Sequence, residues 1–300
     1  MARQRDIVIA IIIAVVFVGA VGFFGLMFIG MFGEDGGLGF GGFGAEIGVI
    51  ELFGVIDEGS GRPVIKQLDK WRKNSSIDAI VFHINSPGGG VSISQEIYDA
   101  IRRVREEKPV VASMASVAAS GGYYTACACD LIVANPGTIT GSIGVIFQFH
   151  TAAKLLDKIG VKTETVKSGK MKDVGSYARD MTKQEEMMMH TLVMDTYEQF
   201  IEAIAAGREI EKDDIYPLAD GSIYTGSQAF TLGLVDTLGG LAEAIEIAAE
   251  LAEVEGEPHA VRPAKRKSVS VFDLFSGILG RLAPLVQKDP AGPQLLYLYQ

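Results

Sequence analysis

Cysteine, histidine and clustered positive charge are scarce in this chain of 300 residues, and each shortage excludes something. Its two cysteines, Cys127 and Cys129, stand one residue apart. A C-x-C pair lacks the two further ligands a structural zinc site requires, so both read as small helix residues and no metal or other cofactor is expected. The four histidines fall at His83 inside an apolar strand, at His150 ending a strand-like run, at His190 on a long helix and at His259 in a polar tail. Each reads as structural or exposed, which leaves a serine nucleophile without an evident imidazole base. The net charge is −10 and Lys265-Arg266-Lys267 is the one dense basic cluster, so nucleic acid is not an expected partner.

Apolar sequence, by contrast, is plentiful. Hydrophobic residues make up 48% and charged residues 21%, enough to bury a core. From Ile7 to Phe32 there are 26 residues without a charge. As a helix they would extend about 39 Å against about 30 Å of hydrocarbon, a longer run than the apolar core of a cleaved signal peptide. Arg3 and Arg5 precede the run and Glu34 and Asp35 follow it. The positive-inside rule then predicts a single-pass anchor in the cell membrane, its N-terminus cytoplasmic and the rest extracytoplasmic. Seven glycines in the fourteen residues from Gly33 to Glu46 predict a flexible tether. The expected organisation is a cytoplasmic stub and anchor over 1–32, a tether over 33–46, one catalytic domain over 47–255 and a terminal segment over 256–300.

Beyond the tether, strands are predicted at Ile47–Ile56, Ile77–Asn85, Pro109–Met114, Leu131–Ala134, Val161–Val166 and Leu234–Asp236. Between the first of these lie helical patterns, one through Val64, Ile65, Leu68 and Trp71 and one through Ile93, Ile97, Ala100, Ile101 and Val104. Strands alternating with helices give an α/β fold with a largely parallel sheet covered on its faces. Thr182 with Glu185 forms a capping box for a long helix to about Ala206, and Leu241–Leu251 reads as another helix. At the far end an apolar helical face from Val271 to Val286 precedes the aromatic heptamer Gln294–Gln300. That heptamer is expected to be paired, either as an edge strand or membrane contact or as a β-strand in the peptide groove.

The chemistry centres on Ala119-Ser120-Gly121-Gly122, where a serine follows a strand and two glycines permit close approach of backbone or ligand. Without an imidazole the base would be a lysine. An amine can take the serine proton only when neutral, so an ordinary pKa of about 10.4 has to be lowered towards 7 by desolvation or like charge. Lys167, Lys170 and Lys172 cluster where the chain leaves a predicted strand. Pro87-Gly88-Gly89 at the end of a buried strand could join the N–H of Gly121 in stabilising an oxyanion.

In order, Asn85-Ser86-Pro87-Gly88-Gly89, Ala119-Ser120-Gly121-Gly122-Tyr123-Tyr124, Thr140-Gly141-Ser142-Ile143-Gly144-Val145 and Ser168-Gly169-Lys170-Met171-Lys172-Asp173 resemble the signal peptide peptidase A family, across about Ile47 to Gly240. The resemblance implies a membrane-anchored Ser/Lys peptidase of the ClpP/crotonase-like fold. It implies Ser120 as nucleophile, Lys172 as general base, Ser142 as the serine that hydrogen-bonds the lysine, and Gly88 and Gly121 as the oxyanion hole. Remnant signal peptides and other apolar, membrane-derived peptides are the implied substrates. A single-domain form implies a homo-oligomer, with Ser120 and Lys172 meeting within or between subunits. Family neighbours that cleave stomatin-like membrane proteins share the dyad. A crotonase-like enzyme acting on acyl thioesters and an inactive membrane scaffold are the remaining readings.

Overall fold

The computed structural model describes residues 45–263. The expected anchor, most of the tether, the basic cluster and the terminal heptamer lie outside the described residues. Among the described residues, 45–263, no helix is long and apolar enough to cross a membrane.

Strand β1 (Glu46–Phe53) leads into helix α1 (Glu58–Arg72), β2 (Ala79–Ser86), α2 (Val91–Arg105) and β3 (Val110–Ala119). Then come α3 (Gly121–Ala126), β4 (Leu131–Ala134), β5 (Ile139–Gly141) and α4 (Ala153–Lys158). The long α5 (Lys183–Arg208) and the short α6 (Lys212–Ile215) precede β6 (Ile223–Thr225), α7 (Gly226–Thr231), β7 (Thr237–Leu238), α8 (Leu241–Leu251) and β8 (His259–Val261). The strands form one sheet in the order β6-β5-β3-β2-β1-β8, with β4 and β7 branching from β3. Every pairing is parallel except β5 with β6.

Local sequence explains the elements. Asp57 caps α1 by accepting from the Ser60 N–H at 2.8 Å while Ser60 Oγ accepts from the Asp57 N–H at 3.0 Å. The strands read as continuous apolar runs because both faces are covered. Ile50, Leu52, Ile80, Phe82, Ile84, Ala112 and Met114 face the cluster built with Leu68, Trp71, Ile97 and Ile101 of α1 and α2. Ile47, Val49, Ala79, Val81 and Val111 face Ala244, Ala248 and Ala249 of α8. Residues i and i+2 thus share a layer, as the pleat requires.

The sheet forks at β3. Its first half, Val111–Met114, pairs with Leu131–Ala134 of β4, and its second half, Val117–Ala119, pairs with Ile139–Gly141 of β5. This second half extends five residues beyond the predicted strand and carries the chain directly to Ser120.

Two expectations are corrected. Val161–Val166 forms no strand: it lies exposed, Val166 fully so, and alternation without a partner strand yields no ladder. The strand predicted at Leu234–Asp236 falls instead at Thr237–Leu238, since Leu234 and Val235 are buried in the core as the chain leaves α7. Cys127 and Cys129 lie in the turn after α3, both buried; burial pushes the Cys127 thiol to about 12 and that of Cys129 well above its usual value.

Candidate active site

Ser120 stands between the end of β3 and the start of α3 with φ 52° and ψ −120°. A residue with a side chain pays about 1–3 kcal/mol for such a backbone, and the surroundings enforce it. The Ser120 N–H donates to the Gly141 carbonyl at 2.8 Å, and its carbonyl accepts from the Tyr124 N–H at 2.8 Å. The serine is therefore fixed by the ladder on one side and by the first turn of α3 on the other. A sharp strand-to-helix turn of this kind presents a hydroxyl away from the backbone that carries it.

The turn after β2 lies directly against it. Gly88 has φ 101°, and a Cβ there would meet the Gly121 nitrogen at 2.8 Å and Ser120 Cβ at 2.9 Å. A Cβ on Gly121 would meet Ser94 Oγ at 2.7 Å and the Gly89 nitrogen at 3.4 Å. Glycine at both positions lets the two backbones touch. The Gly88 N–H donates to Ser86 Oγ at 3.1 Å. The N–H groups of Gly89 and Gly121, in contrast, donate to no group among the described residues. The donor pair left open beside Ser120 is thus Gly89 with Gly121: the Pro87-Gly88-Gly89 motif allowed either glycine, and the family resemblance implied Gly88.

Two cavities meet at Ser120, sharing Gly89 and Gly144-Val145-Ile146 as walls. The first, about 120 Å³, is closed by Val91 and Gln95 of α2, Tyr124 of α3, and Thr196 and Phe200 of α5. Tyr124 packs on Phe200 with ring centroids 5.2 Å apart, and burial pushes its hydroxyl up to about 12, so the wall is uncharged. The second, about 670 Å³, is lined by Ser142, Val193, Met194, Tyr197 and Asp220. Hydrogen bonds from Ser222 hold Asp220 below the usual carboxylate range, so it is the charged group on that wall.

Ser142 also has a positive φ, 49°, and its N–H donates to the Ser222 carbonyl at 2.7 Å. It follows β5 as Ser120 follows β3, and since β5 pairs with β3 the two serines leave adjacent strands at the same end. Lys172 is placed differently. It is exposed, in a turn over residues 170–175, and lines neither cavity. No histidine lines them either: His83 is in β2, where its Nδ1 lies 3.2 Å from both the carbonyl and the Oγ of Ser113. The structure thus brings Ser120, Ser142, Gly88 and Gly121 together but not Lys172. Thr196 and Phe200 were not singled out from sequence. The i, i+4 spacing of Thr196 and Phe200 on a capped helix was the available signal.

Comparison with known proteins places these features in a family. The profile of peptidase family S49 matches residues 102–255, and that of Clp protease matches residues 45–141. A protein of Synechocystis sp. named as a candidate protease is 42% identical over 210 residues, covering 70% of this chain and 76% of that protein. The chloroplastic serine protease SPPA of Arabidopsis thaliana is 36% identical over 217 residues, 72% of this chain and 32% of its own. Protease 4 of Haemophilus influenzae is 32% identical over 214 residues, 69% of this chain and 35% of its own. The matched region therefore spans about a third of these last two relatives.

Proposed function

The chain belongs to peptidase family S49 and is a serine peptidase, and from that premise we propose that Ser120 and Lys172 form its Ser/Lys dyad. The observation that carries the proposal is Ser120 itself. It is held in a strained turn where two cavities meet, with two N–H groups beside it that have no partner among the described residues.

In this reading the neutral amine of Lys172 takes the proton of Ser120 Oγ as the oxygen attacks a peptide carbonyl. The N–H groups of Gly89 and Gly121 receive the oxyanion, each worth about 3–4 kcal/mol of barrier. The ammonium returns its proton to the leaving amine, and the freed amine then activates the water that hydrolyses the acyl-enzyme. Ser142 directs the lysine towards Ser120 from the adjacent strand. Neither cavity is lined by a lysine and Lys172 lies on the surface, which favours a lysine supplied by a neighbouring copy of the chain. The uncharged first cavity suits an apolar side chain, so apolar peptides such as remnant signal peptides are the proposed substrates. The apolar run at residues 7–32 would anchor this ClpP/crotonase-like domain outside the membrane, within reach of such segments.

Ser120→Ala and Lys172→Ala should each lower peptidase activity on the order of 10⁴-fold or more while leaving the fold intact. A fluorophosphonate should label Ser120 of the parent protein and not the Ser120→Ala variant. Near-normal turnover by Lys172→Ala would remove lysine from the base position, and a label found on another serine would remove Ser120.

A further inference from the structure

Next to Lys172 in the chain is a carboxylate, Asp173. An unpaired carboxylate within reach of an amine holds it protonated, the opposite of what a base requires. Here that carboxylate is fully engaged. Arg179 grips both of its oxygens, Nε donating to Oδ2 at 3.0 Å and Nη2 to Oδ1 at 2.8 Å, and Lys167 Nζ forms an ion pair with Oδ1. The same guanidinium grips Glu185, Nη1 donating to Oε2 at 2.8 Å and Nη2 to Oε1 at 2.5 Å. Two bidentate pairs on one planar group leave it little freedom.

Glu185 is anchored in turn. It is 2% exposed, it accepts from the Thr182 N–H at 2.8 Å and Oγ1 at 3.1 Å, and it closes the capping box of α5. Through Arg179 the turn bearing Lys172 is thus tied to the first turn of the helix whose later residues Val193, Thr196 and Phe200 wall the cavities beside Ser120. A second tie lies further along, where Phe149 covers Gly175 so closely that a Cβ there would meet the ring at 2.2 Å.

Resting on the reading of Lys172 as base, we propose that Arg179 is its positioning residue, fixing the turn that carries the amine and keeping Asp173 from capturing it. The charged groups facing Asp173 are Lys167 and Arg179, and those facing Arg179 are Asp173 and Glu185. Lys167 Nζ also donates to the Lys170 carbonyl at 3.1 Å, so the second cation is held in place by the same turn. Removing either cation frees carboxylate charge one residue from the amine.

The test is the pH dependence of kcat/KM of the full-length assembled enzyme on a short apolar peptide. Arg179→Gln should move the acid limb up by about one pH unit, lowering activity at neutral pH about tenfold, with KM within about twofold. Lys167→Gln, an exposed change that leaves the Arg179 pairs intact, should move the limb the same way by less. Adding Asp173→Asn to either variant should return the limb to its original position. An unmoved limb in Arg179→Gln, whether activity is kept or falls uniformly at every pH, overturns the proposal. Should Arg179→Gln fail to fold, an unmoved limb in Lys167→Gln overturns it alone. Lys172→Ala separates this from the parent reading: an active Lys172→Ala removes the base assignment, whereas an inactive one with an unmoved limb in the other variants removes only the role of Arg179.

Discussion

A single residue, Ser120, combines two conditions that seldom coincide, a strained backbone and a seat between two cavities. The strain is enforced by hydrogen bonds to Gly141 and from Tyr124, so it survives substitution of the hydroxyl, and Ser120→Ala should fold normally. The cavity on the α2 side sets a size limit. Thr196 lies on its wall, and Thr196→Phe would fill part of the roughly 120 Å³ there. That variant should lower kcat/KM for peptides with a large apolar residue before the cut by about tenfold or more, while peptides with alanine there are little affected. A panel of peptides varied at that residue measures it, and equal losses across the panel would show that the cavity does not receive the side chain. Ser120 and Gly121 were legible because the strand, the serine and the glycine pair are contiguous. The Gly89 donor was not, since which of two adjacent glycines keeps a free N–H depends on Ser86 Oγ capturing the other.

Among the elements, those defined by contiguous signals were found and those defined by distant partners were not. The capping box of Thr182 and Glu185 opens α5 as expected, and α8 runs Leu241–Leu251 as expected, because caps and periodicity are local. The extension of β3 to Ala119, the fork, and the missing strand at Val161–Val166 depend on which strand lies alongside, which no local pattern records. The start of α5 also carries a pH dependence. Hydrogen bonds from Arg179 and from the Thr182 backbone bring Glu185 down from 4.5 to about 2. A folded value below the ordinary one means that its stabilising contribution is present above about pH 4.5 and is lost as pH falls towards 2. Asp173, depressed by Arg179 and Lys167, acts in the same direction. Amide exchange over residues 167–185, corrected for intrinsic rate, should therefore rise on the order of tenfold across that window while β1 to β3 stay protected. Glu185→Gln should weaken the pH dependence and leave only the part due to Asp173; exchange already fast in the parent at pH 6 would mean the ties do not hold the turn.

At the scale of the whole molecule, much apolar surface stands uncovered around the site. Ile146 is 88% exposed and Met187 68%, with Phe147, Leu192 and Met194 also exposed. Large apolar side chains exposed in this number favour cover by a partner, and a second copy bringing its Lys172 is the occupant that the proposed chemistry favours. Mixing Ser120→Ala with Lys172→Ala protein should then restore about a quarter of the parent activity, the fraction of random pairings that join an intact serine to an intact lysine. No restoration, in mixtures shown to exchange subunits, would place the dyad within one chain. The two cysteines add a separate consequence. With both thiols buried in the turn after α3 and protonated there, neither alkylating reagents nor peroxide has a thiolate to attack in the folded domain. The folded domain is thereby chemically silent towards maleimides. Labelling of the parent protein becomes a clock for global opening, and one cysteine engineered on the surface would report subunit exchange without background.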